Sequence, residues 1–224
     1  MSTALKKNPA DSAAADGAGS RKPQQSRSKA SLVRMLAAAE KLMLERGSED
    51  FTLQEVSSGG NVSIGSIYLR FNGKDNLVRA VIADHLERME AEEEALLATV
   101  RKAKSLRAFV ADYVVGYAEL LKHHAPLLRL TMQRASTDPL VSASGKGAAL
   151  RFATSSTAAM MVFADEMGGD DKELKVNSAY HVIFAMLARQ LSLGSTGESV
   201  HDYDWQQLKR ELGRMCLGYL THAD

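Results

Sequence analysis

The sequence predicts an all-α protein of about nine helices, in which a small three-helix N-terminal unit precedes a larger helical region. Three observations predict it. Apolar residues recur at the three- and four-residue spacing of a helical face along nearly the whole chain beyond residue 26. Gly, Asn and Pro punctuate the segments, and Ser or Thr stands where helices open. Neither strand alternation nor an internal repeat is present.

Composition narrows the possibilities. The 224 residues are 45% hydrophobic and 25% charged, an ordinary globular balance with enough apolar material for a sizeable core. With 28 Lys and Arg against 27 Asp and Glu the net charge is +1, so any basic surface has to be local. The single cysteine, Cys216, can form neither an internal disulfide nor a thiolate metal cage, which points to a reducing compartment. No uncharged apolar run reaches the roughly 18 residues of a membrane span. Ala13 to Gly19 is small and polar where a secretory signal is apolar.

Residues 1–26 hold too few large apolar side chains to repay ordering and are expected to form a flexible basic arm. From Met1 to Lys29, the cations Lys6, Lys7, Arg21, Lys22, Arg27 and Lys29 stand against only Asp11 and Asp16. Leu32, Leu36, Ala39 and Met43 share one face of a first helix, Ser28 to Arg46, stopped by Gly47. Thr52 with Glu55 three residues on is a capping box for a second helix, which ends near Ser58-Gly59-Gly60. Asn61 tolerates the left-handed conformation of a tight turn. Ser63 caps a third helix, Ile64 to Phe71, which Asn72-Gly73 breaks. Val62 and Ile67 are expected to pin the second helix to the third, and Tyr68 and Phe71 to fill the space under the first. Residues 27–74 form this first domain and 75–224 the second.

In the second domain, Asp75 to about Thr99 turns Leu77, Val81, His85 and Leu86 inward and Glu90, Glu92, Glu93 and Glu94 toward water. Leu106, Phe109, Val110, Tyr113, Tyr117 and Leu120 mark a fifth helix ending at His123-His124, with Pro126 opening a short sixth. Phe152 to Ala164 carries no charge and is expected to be buried on every side. Lys172 to Leu193 forms the next helix. In the last, Trp205, Leu208, Leu212, Met215 and Tyr219 follow a 3-4-3-4 spacing, a seam that packs against partner helices.

Two short helices joined by a tight turn across Thr52 to Phe71 make a helix-turn-helix pattern. The letters are more specific. Thr52-Leu53-Gln54-Glu55-Val56, then Gly60-Asn61-Val62-Ser63-Ile64-Gly65-Ser66-Ile67-Tyr68-Leu69-Arg70-Phe71, then Gly73-Lys74-Asp75-Asn76-Leu77, resembles the DNA-binding domain of the TetR family of bacterial transcriptional regulators. The spacings match without a gap and the likeness runs from Leu32 to about Val81. Ser57 stands where the family has Ala, Gly60-Asn61 where it has Ala-Gly, and Arg70 where it has Tyr or His.

The resemblance implies a cytoplasmic, nucleoid-associated homodimer with no membrane partner. It acts as a ligand-responsive repressor, released from a palindromic operator in double-stranded DNA by a small apolar or amphipathic effector. Ser63, Ile64 and Ser66, on the N-terminal end of the third helix, are the groove-entering residues. None can make a bidentate purine contact, so direct base readout is thin. Thr52 and Lys74 at helix starts, with Tyr68 and Arg70, are the phosphate clamp, and Arg27 or Lys29 reaches a minor groove from the arm. Phe109, Tyr113, Tyr117, Met132, Phe152, Met160, Phe163 and Phe184 are the candidate lining of an effector cavity. The resemblance also implies dimerisation through the last two helices, here by Tyr180, Phe184, Leu187, Trp205, Leu208, Leu212, Met215 and Tyr219.

Other chemistry finds little support. His123 and His124 point about 100° apart on a helix, no His has a ligand partner at recognisable spacing, and no phosphate loop or nucleophile elbow is present. No metal, cofactor or enzymatic activity is expected. The alternative is a helical ligand-binding or protein-interaction module that keeps the helix-turn-helix corner as structure without touching DNA.

Overall fold

Side-chain caps open most of the helices in the computed structural model, which describes residues 21–194 and 204–223 and, for 21–26, the backbone alone. The arm of residues 1–20 lies outside the described residues. Among the described residues there are eight α-helices, one 3₁₀ turn and no strand. They are α1 (Arg21–Arg46), α2 (Leu53–Gly59), α3 (Ile64–Phe71), α4 (Lys74–Val100), α5 (Leu106–Ala135), α6 (Pro139–Met161), the 3₁₀ turn (Ala164–Glu166), α7 (Lys172–Gln190) and α8 (Trp205–Thr221). Thr52, Ser63, Ser105, Asp138, Asp171 and Asp204 each accept a backbone N–H at a helix start, satisfying a donor the helix leaves unpaired.

Two apolar cores result. The head core joins Met35, Ala39 and Met43 of α1, Val56 of α2, Ile67 and Phe71 of α3 and Leu77 to Ile82 of α4 to Leu127 and Leu130 of α5 and Val141 of α6. The body core runs from Met89 and Leu97 of α4 through Phe109, Tyr113 and Tyr117 of α5 to Phe152, Tyr180, Ile183, Leu208 and Leu212. α4 belongs to both, so its two ends couple head to body through one rigid rod.

Four expectations are corrected. α1 begins at Arg21, inside the stretch read as an arm, so Arg27 and Lys29 are exposed residues of a helix. The fifth and sixth helices are one. Pro126 lies inside α5 on its exposed side, as does Lys122, whose carbonyl loses its usual N–H and can turn to solvent. His124, Ala125, Leu127 and Leu128 bury the opposite side and offset the cost of about 3 kcal/mol that an interior proline carries. The uncharged segment of α6 is not buried all round. Phe152, Ser156, Ala159 and Met160 face inward while Thr154, Ala158 and Val162 are exposed, and small Ala, Ser and Thr residues let the outer side do without charge. Finally, Glu93 turns inward and is 6% exposed.

Candidate nucleic-acid interface and helical pocket

Helical periodicity divides α3. Ile67 and Phe71 are buried, and Ile64, read as groove-facing, is half-buried against the same head core. Ser66, Tyr68, Leu69 and Arg70 are exposed, with Gly65 leaving open space where a Cβ would stand. Tyr68 is therefore outside, at 57% exposure, and does not fill the space under α1. Leu69 is the residue that the sequence reading missed: at 91% exposure it presents an isobutyl group beside Ser66, where Ile64 was expected. The signal was available, since positions 64, 67 and 71 fix the inner face.

Local hydrogen bonds hold this surface rigid. Asn61, at φ 47°, makes the left-handed turn between α2 and α3. The Ser57 hydroxyl donates to the Val62 carbonyl at 2.6 Å, closing that turn with a bond that alanine would lack. A Cβ on buried Gly60 would stand 3.0 Å from the Arg34 carbonyl, so glycine lets α2 approach α1 closely, and Arg34 Nε donates to the Gly60 carbonyl at 3.2 Å. Ser63 Oγ caps α3 by accepting the Ser66 N–H and pairs with Ser66 Oγ at 2.6 Å.

The clamp residues divide as well. The Thr52 hydroxyl accepts the Glu55 N–H at 3.2 Å and donates to the Glu55 carboxylate at 2.9 Å, so it is engaged within its own cap. Glu55 is held down to about 2 by the Arg46 guanidinium and by hydrogen bonds from Thr52. Lys74, at the start of α4, stands over the Phe51 ring at 4.7 Å, which places its ammonium beside the α2 N-terminus. Arg70 donates to the Ser28 hydroxyl and carbonyl, tying α3 to α1 instead of standing free. The Tyr68 hydroxyl makes no hydrogen bond among the described residues.

Between head and body lies a charged junction centred on Arg134 of α5. It bonds Glu49 before α2 at 2.9 Å, Asp75 at the start of α4 at 2.9 Å and Asp138 at 3.1 Å. Asp138 also takes Arg79 of α4 at 2.7 Å while capping α6, and hydrogen bonds from both guanidiniums hold its carboxyl down to about 2. One arginine thus touches the loop entering α2, the start of α4 and the start of α6.

A cavity of about 530 Å³ opens between α4, α5, α6 and α7. Of the eight predicted lining residues, Tyr117, Met132, Phe152 and Phe184 line it. Phe109, Tyr113, Met160 and Phe163 do not; the first three are fully buried, and the Phe109 ring packs on those of Tyr113 and Phe163. Glu93, Thr131 and Tyr180 join the lining and were not foreseen as such. Burial, with Glu90 adding repulsion, pushes the Glu93 carboxyl up to about 8.

On the outer side of α7 and α8 the predicted seam is split. Leu187, Leu208 and Leu212 are buried in the chain's own core, as is Tyr180, whereas Met215 and Tyr219 are exposed together with Val182 and Met186 of α7. Trp205 donates to Glu119 at 2.8 Å, and the buried Lys209 ammonium pairs with the same carboxylate. The histidines also depart from expectation. Glu92 of α4 supplies a carboxylate to His123 and His124, and the three ligand atoms lie within 4.8 Å of one another, a group that could hold a metal ion. His124 Nε2 is 3.1 Å from Glu92, and its Nδ1 is 3.0 Å from His85 Nε2. Burial lowers His85 to about 4 and His124 as well.

Residues 35–81 match the family model described as bacterial regulatory proteins, tetR family. No curated protein sequence matches. A proposed TetR-family transcriptional regulator from Mesorhizobium loti MAFF303099 superposes with TM-score 0.70 at 15% identity, covering 87% of this chain and 96% of that one. GusR of Salmonella enterica gives 0.62 at 19% identity over 86% and 96%. A transcriptional regulator from Cytophaga hutchinsonii ATCC 33406 gives 0.61 at 18% over 84% and 97%. No helix among the described residues is long and apolar enough to cross a membrane. Residues 35–81 thus resemble the regulatory proteins of the tetR family, on a helical body that shares the fold of these solved structures.

Proposed function

We propose that the chain is a ligand-responsive, DNA-binding transcription regulator. It acts as a homodimeric repressor, released from a palindromic operator by an amphipathic effector held between α4 and α7. The observation that carries this reading is the outer face of α3. Gly65, Ser66, Tyr68 and Leu69 are exposed on a helix whose inner face is fully committed to the head core, within the segment that matches the family. Such a face fits a major groove, Leu69 being suited to a thymine methyl and Lys74 to a phosphate. Exposed Val182, Met186, Met215 and Tyr219 offer an apolar surface for a second copy, which would set two α3 helices one turn of duplex apart.

The junction supports the ligand response. Val141, Ala135 and Leu128 line the cavity, and Arg134 and Asp138 stand between them in sequence, bonded to Glu49, Asp75 and Arg79. An effector that shifts the start of α6 pulls on the same ion pairs that hold the start of α4. A coupling of about 1–3 kcal/mol would weaken operator binding roughly 5- to 150-fold.

The test is fluorescence anisotropy of the full chain on DNA flanking its own gene. Saturable, salt-sensitive binding is expected. Lys74→Ala should weaken it alike on all sequences and reduce the salt slope by about 1, whereas Ser66→Ala should alter preference among sequences. Absence of salt-sensitive binding to any fragment, or a Lys74→Ala chain equal to the wild type, favours the helical binding module without DNA.

A further inference from the structure

The cavity is apolar except for a few groups, and one of them stands alone. Glu93 is 6% exposed, lines the cavity and takes part in no hydrogen bond or ion pair among the described residues. The guanidinium closest in effect, Arg151 of α6, is bound to Glu90 at 2.5 and 2.8 Å. An unpartnered carboxyl in such surroundings is costly, and the fold keeps it protonated through neutrality: burial moves it up to about 8, with Glu90 pushing the same way and Arg151 opposing.

Three rings line the same cavity. The Tyr117 ring lies 4.9 Å from Phe152 and 6.3 Å from Tyr180, and Phe152 and Tyr180 are 6.3 Å apart, so the three form a continuous wall lining the cavity. Glu93 of α4 lines the same cavity as these three rings of α5, α6 and α7. Lys146 of α6 and His181 of α7 also line the cavity but are exposed, and His181 is turned to the Asn177 carbonyl at 2.7 Å. Ring faces attract cations, and a desolvated carboxylate attracts them more strongly.

We infer that the cavity takes an amphipathic organic cation, whose amine or quaternary nitrogen pairs with the Glu93 carboxylate against the Tyr117, Phe152 and Tyr180 rings. The inference rests on the effector-pocket reading above and names the class of its ligand.

Calorimetry on the full chain with octyltrimethylammonium, 1-octanol and octanoate tests this, since the three share a chain and differ in charge. The cation should bind at least ten times more tightly than the alcohol at pH 8. Glu93→Gln, which copies the neutral acid in shape, should erase the preference while leaving alcohol binding unchanged; circular dichroism confirms its fold. Octanoate or octanol binding as tightly as the cation overturns the charge assignment and leaves the pocket standing. Retention of the preference in Glu93→Gln overturns the role of Glu93. Failure of all three probes to bind overturns the pocket itself and this inference with it.

Discussion

The head and the body of this chain build their surfaces from different distances along the sequence. In the head, Ile67 is fully buried and Leu69 is 91% exposed, two residues apart on one short helix. Helical geometry alone decides which is which, and caps, turn residues and hydrogen bonds over a few positions hold the face still. In the body, the cavity brings together Glu93, Tyr117, Phe152 and Tyr180 from four helices. No local rule connects them. The difference teaches that a recognition face can be encoded by a short run of residues, whereas a cavity is a property of how long helices pack.

Core truncation in each region is the strongest way to sharpen that contrast. Phe109→Ala should cost about 3–5 kcal/mol and Ile67→Ala about 2–5 kcal/mol in urea unfolding, because both side chains are fully buried. Leu127, Leu130 and Val141 of the body complete the head core, so both variants should still unfold in one transition. Two separate transitions in Ile67→Ala would show that the junction does not bind the regions into a single cooperative unit.

Leu69→Ala probes the other side of α3. Nothing is buried there, so stability should stay within about 0.5 kcal/mol of the wild type, while DNA affinity falls. A variant that binds DNA undiminished would break the assignment of that face.

The sequence made the head legible and the body only in outline. Thr52, Ser63, Asn61 and Gly60 announce their roles because each acts within a few residues of itself. Ile64 was misassigned because its position in the motif outweighed its place on the inner face. Pro126 was read as a break because propensity weighs one residue, while the burial of Leu127 and Leu128 that overrides it is tertiary. Glu93 was lost in a run of glutamates: composition says solvent, and only the packing of α4 against α5, α6 and α7 shows that one of the run turns inward. Leu187, Leu208 and Leu212 follow a seam spacing that serves the chain's own core as well as a partner, so spacing alone does not say which.

Titration gives the body two opposed pH responses. Glu93 sits at about 8 when folded against 4.5 in its ordinary state, so the fold favours its protonated form. That stability is fully present below about pH 4.5 and is lost as pH rises through 8. His85 works in the opposite sense: held at about 4 against 6.5, it contributes stability above pH 6.5 that is lost as pH falls through 4. Thermal melts between pH 5 and 8.5 should therefore show a decline on the alkaline side that Glu93→Gln removes, raising Tm at pH 8.5 by about 5 °C. An unchanged alkaline slope in that variant would mean that Glu93 is solvated.

The smallest effect concerns polar atoms that the packing leaves unpaired. Among the described residues, the side-chain nitrogens and oxygens sealed from solvent and without a hydrogen bond are His85 Nδ1, the Tyr113 hydroxyl, Thr131 Oγ1 and Ser156 Oγ, and all four lie on α4, α5 or α6 of the body. The head has none, which fits a surface organised by local hydrogen bonds. The Tyr113 hydroxyl faces that of Ser156 without a well-formed hydrogen bond, so Tyr113→Phe should be neutral or should stabilise by up to about 1 kcal/mol, since removing an unsatisfied buried group relieves a desolvation cost. Urea midpoints measure it. A loss of more than about 1 kcal/mol would show that a bound water or ligand atom pairs with that hydroxyl, and would turn an idle core residue into part of the cavity's polar lining.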